Sequence, residues 1–333
     1  MCTSITLQSR KRENFFGRTM DFSYDIEPQL YIMPNNYVWE NSVTMNKFQN
    51  RYRFIGIGQE SDGLLGFFDG VNECGFAAAA LYFAGYAKYG THTNCMNKLP
   101  VAAFDFLHYI LGNCSSLKEL AHILGGISIV GVPDPVTQTI APLHWIATDR
   151  TGDCVVIEQT AAGLYVFQNS IGVLANSPDF PWHMTNLRNY MGVSQKQINE
   201  VKWGTVPLTP FGQGAGTMLL PGGYTSPERF VRTAYQKTHI ETPKNGLDTV
   251  NACFQIMKSV SIPKGIVMTD RNTCDYTKYT AFMNTNTCEY FFNTYNNQQI
   301  ATASLRDYDH YSTQPICLGT LMRPVVFQKL RDC

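Results

Sequence analysis

The sequence predicts an α+β protein in which two antiparallel sheets pack together and helices lie outside each. Strand-like segments come in groups instead of alternating singly with helices, which disfavours a doubly wound parallel sheet. The order along the chain is strands, helices, strands, helices, strands, with tight polar turns between several of the strand runs. No internal repeat, low-complexity tract or linker rich in Pro, Gly or Ser breaks the 333 residues, so the chain reads as one domain.

Cys2 to Leu7 alternates weakly, and residues 14–22 form a second strand pattern behind the polar turn at 9–13. Residues 52–58 and 75–83 are further strands; Gly75 ahead of the Ala77–Ala80 run and Leu81-Tyr82-Phe83 behind it favour strand over helix there. Apolar residues at helical spacing from Pro100 to Leu111 predict a helix with Pro100 in its first turn, and a second opens at Ser115-Ser116 and ends at Gly125-Gly126. Residues 144–148 and 154–158 flank the turn 149–153 as a hairpin, extended by 164–168 and 172–175. Helices follow at 182–191, 227–238 and 248–260, with Pro227 behind Ser226 as a recognisable start. Strands return at 265–268, 279–284, 290–295 and 300–305.

Composition narrows the function classes. Hydrophobic residues make up 44% of the chain and aromatics 13%, enough for a sizeable core. Charged residues are only 16%, and 26 Lys+Arg balance 26 Asp+Glu. A neutral chain without a basic stripe is a poor partner for nucleic acid. No apolar run approaches the ~20 residues that cross a bilayer. The first residues are too polar for a secretory signal, which points to the cytoplasm. The ten cysteines are scattered, with no Cys-x-x-Cys pair, so a structural zinc site is disfavoured and most should be small buried hydrophobes.

Cys2 stands directly behind Met1. Aminopeptidases remove Met1 ahead of a small residue, which would leave a thiol and a free α-amino group on one residue, a nucleophile beside its own base. Arg18 and Asp21 lie on the strand that runs back alongside Cys2. A guanidinium beside the sulfur would favour the thiolate, and a carboxylate would hold the amine; a surface ion pair is the plainer reading. Residues three apart do not share a face of a regular strand, so both roles require a bulge or strand end near Thr19. Asn176 ends an apolar strand ahead of Ser177-Pro178, where its amide could donate to an oxyanion or simply start a turn. Arg229 sits in the first turn of a helix, opposing the dipole, which hints at a tertiary role. The glycine-rich stretch 212–216 lacks a phosphate-cradle pattern and suits a loop bordering substrate. The histidines are dispersed, and His144 and His183 read as structural.

Together these motifs resemble the choloylglycine hydrolase family of N-terminal nucleophile hydrolases, which holds bile salt hydrolases and penicillin V acylases. The resemblance runs end to end through Met1-Cys2-Thr3, Phe16–Asp21, Asp69–Gly75, Asn176-Ser177-Pro178, Leu208–Gly214 and Ser226–Phe230. It implies a four-layer αββα sandwich in a single domain, 2–333, with Met1 removed. It implies Cys2 as nucleophile, its α-amino group as base, Asp21 orienting the amine, and Arg18 beside the sulfur. Asn176 and the backbone N–H of Tyr82 would form the oxyanion hole, and Arg229 would stabilise charge. No cofactor is implied, the partner is a small-molecule amide, and family members are often homotetramers. Bile salt hydrolases of the family usually carry Asn where this chain has Tyr82, and penicillin V acylases usually carry Tyr. An aromatic wall suits a phenoxyacetyl group, so Tyr82 favours penicillin V over conjugated bile salts as substrate. N-acyl homoserine lactones are a third amide class, and a non-catalytic ligand-binding or thiol-redox protein on the same fold is the reading from another class.

Overall fold

The computed structural model describes residues 1–91, 97–308, 312–327 and 329. Two antiparallel sheets dominate it. In the seven-stranded sheet the order is Val173–Leu174, Cys2–Gln8, Asn14–Phe22, Cys274–Asn284, Glu289–Thr294 and Ala301–Ser304, with Val267–Met268 also paired to Cys274–Asn284. The eight-stranded sheet runs Gly163–Gln168, Cys154–Thr160, Leu143–Thr148, Ala77–Tyr82, Leu64–Asn72, Phe54–Ser61, Gln29–Met33 and Ile316–Thr320.

Helices Ser226–His239 and Gly246–Lys258 pack on the first sheet, and Phe106–Asn113 on the second, where Leu117–Gly126 joins the same apolar cluster. The result is the α+β sandwich anticipated above. One apolar cluster joins the two sheets to Phe230, Val250 and Phe254 of the outer helices. Another lies between the eight-stranded sheet and Phe106, Leu107, Ile110 and Leu111. Burial of such side chains stabilises by roughly 1.5–3 kcal/mol each.

Several local expectations hold. Ala77–Tyr82 is a strand, and Leu143–Thr148 pairs with Cys154–Thr160 across a turn. Thr225 caps the helix Ser226–His239 in a reciprocal arrangement with Glu228, one residue earlier than the Ser226 start implied. The helix predicted from Pro100 is a correction. Leu99–Ala102 is a strand paired in parallel with Ile127–Val130, and the helix begins only at Phe106. Pro100 tolerates this place because a two-stranded ribbon leaves it an unpaired edge. Three strands of the eight-stranded sheet, Gln29–Met33, Leu64–Asn72 and Ile316–Thr320, lay outside the predicted set, as did the short two-stranded ribbons. The helix expected over 182–191 is a short α-helix, Phe180–Asn186, continued by a 3₁₀ turn, Leu187–Tyr190. Cys2, Cys114, Cys154, Cys253 and Cys288 are buried, whereas Cys317 is exposed; Cys95 and Cys333 lie outside the described residues.

Candidate active site

The first two strands set the geometry by register. Cys2 stands opposite Met20, and Ser4 opposite Arg18. Residues directly opposite in an antiparallel pair share a face, so Cys2, Arg18 and Met20 all face one way, toward the eight-stranded sheet. Thr3, Thr19 and Asp21 face the other way, toward the helix Ser226–His239. The three-residue spacing of Arg18 and Asp21 is thereby explained without a bulge at Thr19. The bulge lies in the neighbouring strand, where register shifts between Thr277 and Tyr279. The two side chains project from opposite faces of the strand that pairs with Cys2.

On the inner face, Arg18 Nη2 lies 2.5 Å from Cys2 Sγ. Its Nε donates to the Thr19 carbonyl at 2.9 Å, and Nη1 donates to the carbonyls of Phe68 at 3.2 Å and Ala80 at 3.1 Å. Strands Leu64–Asn72 and Ala77–Tyr82 pair as far as Asp69↔Ala79. The next step of that ladder would oppose Phe68 and Ala80. Phe68 is instead the extra residue of a bulge against the strand Phe54–Ser61, and the guanidinium bridges the two carbonyls that part there. Asp69 lies 3.8 Å from Arg18 Nη1 and is fully buried. It accepts from the hydroxyls of Tyr279, at 2.6 Å, and Tyr290. Burial would lower the Arg18 pKa, but Cys2, Tyr279 and Asp69 outweigh that and raise it. Burial pushes the Asp69 carboxyl up, against the pull of Arg18 and the two tyrosines.

On the outer face, Asp21 accepts from Thr277 Oγ1 at 2.6 Å and Thr19 Oγ1 at 3.1 Å. Arg229 reaches in from its helix, with Nη1 3.9 Å from Asp21 and 2.5 Å from the Cys2 carbonyl. It also donates to Thr3 Oγ1, and through Nη2 to Asn176 Oδ1 at 2.7 Å. Burial raises the Asp21 carboxyl, with Arg229 opposing, and burial lowers Arg229, with Asp21 and Cys2 opposing. Two guanidiniums and two carboxylates, all fully buried, thus offset one another around Cys2. The hint that a cation in a first helical turn has a tertiary partner is answered here.

Asn176 joins the two faces. Its Oδ1 accepts from Cys2 N–H and from Arg229, each at 2.7 Å, and its Nδ2 donates to the Tyr82 carbonyl at 2.7 Å. Two donors on one atom and a carbonyl at the other fix which way the amide points, and leave Nδ2 a second N–H. Phe83 N–H donates to the Pro142 carbonyl while Tyr82 stands opposite Leu143. In an antiparallel ladder hydrogen-bonded positions alternate, so the Tyr82 N–H points away from that neighbour, to the side where its carbonyl meets Asn176.

Two histidines stand behind Asn176. His183 Nε2 is 2.8 Å from the Asn176 carbonyl, and His144 Nε2 is 3.0 Å from the Ala175 carbonyl. Glu158 pairs with His144 Nδ1 at 3.2 Å and accepts from Phe180 N–H. Sequence reasoning left both histidines as structural and gave Asp69, Thr277 and Glu158 no role. Asp69 alone had a signal, since it opens one of the quoted motifs.

Met1 is present and continues the strand. Its amino group donates to the Asp21 carbonyl at 2.5 Å and pairs with Asp275 at 3.1 Å, and its carbonyl accepts from Asp21 N–H at 3.0 Å. Cys2 therefore carries an amide N–H in this form. The sulfur opens on a cavity of about 630 Å³ whose lining includes Met20, Phe22, Phe68 and Tyr82. Residues 212–216 do not line it, which corrects the expectation of a substrate-bordering loop there. Among the described residues no cluster of His, Cys, Asp or Glu is placed to hold a metal ion, and no helix is long and apolar enough to cross a membrane.

The model of linear amide C–N hydrolases of the choloylglycine hydrolase family matches residues 2–318. The chain is 35% identical over 301 residues to a bile salt hydrolase/transferase of Clostridium perfringens, covering 90% of this chain and 91% of that one. A crystal structure of a mutant conjugated bile acid hydrolase from Clostridium perfringens superposes with a TM-score of 0.92 at 30% identity, over 99% of this chain and 100% of that one. A penicillin V acylase from Agrobacterium tumefaciens shares the fold, with a TM-score of 0.76 at 20% identity over 98% and 94%. Fold and matches together define a cysteine N-terminal nucleophile hydrolase that acts on carbon–nitrogen bonds of linear amides. The chain belongs to the choloylglycine hydrolase family.

Proposed function

We propose that this protein hydrolyses conjugated bile salts, releasing glycine or taurine from a steroid acid. The substrate assignment rests on the 35% identity to a bile salt hydrolase/transferase along nearly the whole chain. The likeness to a penicillin V acylase, at 20% identity, speaks for the fold alone. This reverses the ranking drawn from Tyr82. Tyr82 packs edge-on against Phe22, with ring centroids 6.1 Å apart, on the wall of a 630 Å³ cavity. One aromatic on a wall of that size leaves room for a broad ligand, given the ~300–1,000 Å³ of typical pockets.

The mature protein is one hydrolase domain beginning at Cys2, and its free α-amino group is the base. The thiolate, beside Arg18, adds to the amide carbonyl. The oxyanion is taken by the second N–H of Asn176 Nδ2 and the N–H of Tyr82. Asp21 orients the ammonium from below, and Arg229 holds the Cys2 carbonyl and Asn176 in place as charge moves. The ammonium protonates the departing nitrogen as the C–N bond breaks, leaving a thioester on Cys2. Water then gives its proton to the amine, its oxygen attacks the thioester, and the acid leaves as the thiolate is restored. No step calls on a cofactor.

The protein acts as a homo-oligomer in the cytoplasm. The arm at 201–211 supports the assembly, because it holds Trp203 77% and Phe211 113% exposed, more apolar surface than a monomer needs. Comparing kcat/KM on glycine- and taurine-conjugated bile salts with penicillin V tests the substrate. Faster release of phenoxyacetate would overturn it. Intact mass tests the start at Cys2: an active enzyme that retains Met1 would refute the proposed base.

A further inference from the structure

The strand that leads to Asn176 is only two residues long, Val173–Leu174, so Ala175 and Asn176 lie beyond its ladder. Side chains hold them instead. Ser226 Oγ accepts from Asn176 N–H at 2.8 Å, His183 holds the Asn176 carbonyl, and His144 Nε2 holds the Ala175 carbonyl at 3.0 Å. His144 also reaches the other oxyanion donor. The ring of Phe83, the residue after Tyr82, lies flat on the imidazole at 4.3 Å and 7°. One ring thus touches a chain neighbour of each donor. Glu158 fixes that ring. Its Oε1 lies 3.2 Å from His144 Nδ1 and accepts from Phe180 N–H at 3.1 Å, so one carboxyl ties the imidazole to the start of the helix Phe180–Asn186. A carbonyl oxygen can only accept, so His144 Nε2 carries a proton, and the contact between Nδ1 and the carboxyl needs a second one, whichever partner holds it. Both side chains are buried, and neither lines the cavity. Burying such a pair is costly beside apolar residues of the same volume, and its bonds end on the segments that carry the two donors.

We propose that His144 and Glu158 form a positioning pair for the oxyanion hole: Glu158 orients the imidazole, and the imidazole holds the Ala175 carbonyl and the Phe83 ring, and through them Asn176 and Tyr82. The pair touches no substrate. Its contribution is to keep two donors, from segments far apart in the chain, at a fixed separation while charge grows on the carbonyl oxygen. This rests on the oxyanion role proposed above for Asn176 and Tyr82, and is independent of which amide is cut.

The test measures kcat and KM on a glycine-conjugated bile salt and on penicillin V. In the double variant His144→Phe with Glu158→Leu a ring still faces Phe83 and the buried pair becomes apolar, a change that folded proteins commonly tolerate, but the Ala175 carbonyl and Phe180 N–H lose their partners. Its kcat should fall by about tenfold or more with KM in place, because the hole meets charge only in the transition state. Glu158→Gln keeps the geometry, since its N–H donates to a neutral His144 Nδ1 while its oxygen accepts from Phe180 N–H, and should retain most of the activity. Alkylation of Cys2 by iodoacetamide is the control. There the thiolate displaces iodide and no oxyanion forms, so the rate, read by mass on the N-terminal peptide, should be the same in all the enzymes. An unchanged kcat in the double variant, equal losses in it and in Glu158→Gln, or a parallel fall in alkylation overturns the inference. Should the double variant not fold, Glu158→Leu alone frees the ring and is read in the same way. Asn176→Ala separates this inference from the reading beneath it. If Asn176→Ala keeps its kcat, the oxyanion assignment fails and the inference with it; if it loses activity while the double variant does not, the inference fails alone.

Discussion

Arg18 lies across the sulfur of Cys2 at 2.5 Å while its other amino group, Nη1, is 3.8 Å from the carboxylate of Asp69. The cation thus stands between a nucleophile and a buried anion, and each of its three nitrogens donates to an acceptor. Losing Arg18 would strand Asp69 as an uncompensated charge. Arg18→Met is expected to destabilise by about 3–5 kcal/mol in denaturant unfolding. Adding Asp69→Asn, whose oxygen can accept from one of Tyr279 and Tyr290 while its NH2 donates to the other hydroxyl, should recover at least about 1 kcal/mol without restoring activity. Equal stability of the single and double variants would show that Asp69 does not depend on Arg18.

Asn176 is the next target. Asn176→Ala removes the proposed oxyanion donor and leaves Arg229 Nη2 without its acceptor. Activity should fall by about 10²–10³ in kcat. A loss confined to KM would mean that the amide binds ground-state substrate and does not meet a developing charge.

His183 holds the Asn176 backbone and touches no substrate, so its effect should be one of position. His183→Ala is expected to lower kcat by roughly tenfold or more with little change in KM, since small misplacements of a reacting group are costly. His183→Gln keeps an N–H for the carbonyl and should recover much of the loss. Equal losses in the two variants would argue for packing against Phe230 instead.

Buried histidines also shape the response to acid. Burial lowers His108 to about 3 and His183 to about 4, against ~6.5 in an unfolded chain. Their stabilisation is fully present above ~6.5 and is lost as pH falls toward the folded values, because only the unfolded chain binds the proton in that window. Asp105, pushed up to about 6 by burial, works in the opposite direction between ~3.9 and 6. The histidine contribution is therefore read as a difference. Between pH 7 and 5, His108→Phe should lose about 2 kcal/mol less stability than the wild type. Parallel pH profiles would show that His108 is already protonated in the folded protein.

Much of this site could be read from residue order alone because its parts are local. Cys2, Arg18 and Asp21 are joined by a single hairpin, and Asn176 and Arg229 each belong to a recognisable strand end or helix start. The residues that were missed act across long separations. Asp69 meets Tyr279 and Tyr290 only because two sheets pack face to face, and the bulge at 277–279 leaves no Gly or Pro to mark it. Pro100 misled for a related reason. Its neighbours are apolar at both helical and strand spacing, and the partner that decides between them, Ile127–Val130, lies beyond two helices. Tyr82 pointed to a different substrate from the one the relatives favour, because the width of a cavity depends on every wall.

The same guanidinium that touches the sulfur also ties together two carbonyls where neighbouring strands separate. Arg18 therefore fastens a seam in the scaffold as well as contacting the sulfur. Drift that retunes reactivity at this position would also loosen the frame, so new activities on this architecture have more freedom to arise at the cavity's far walls than at its hinge with Cys2.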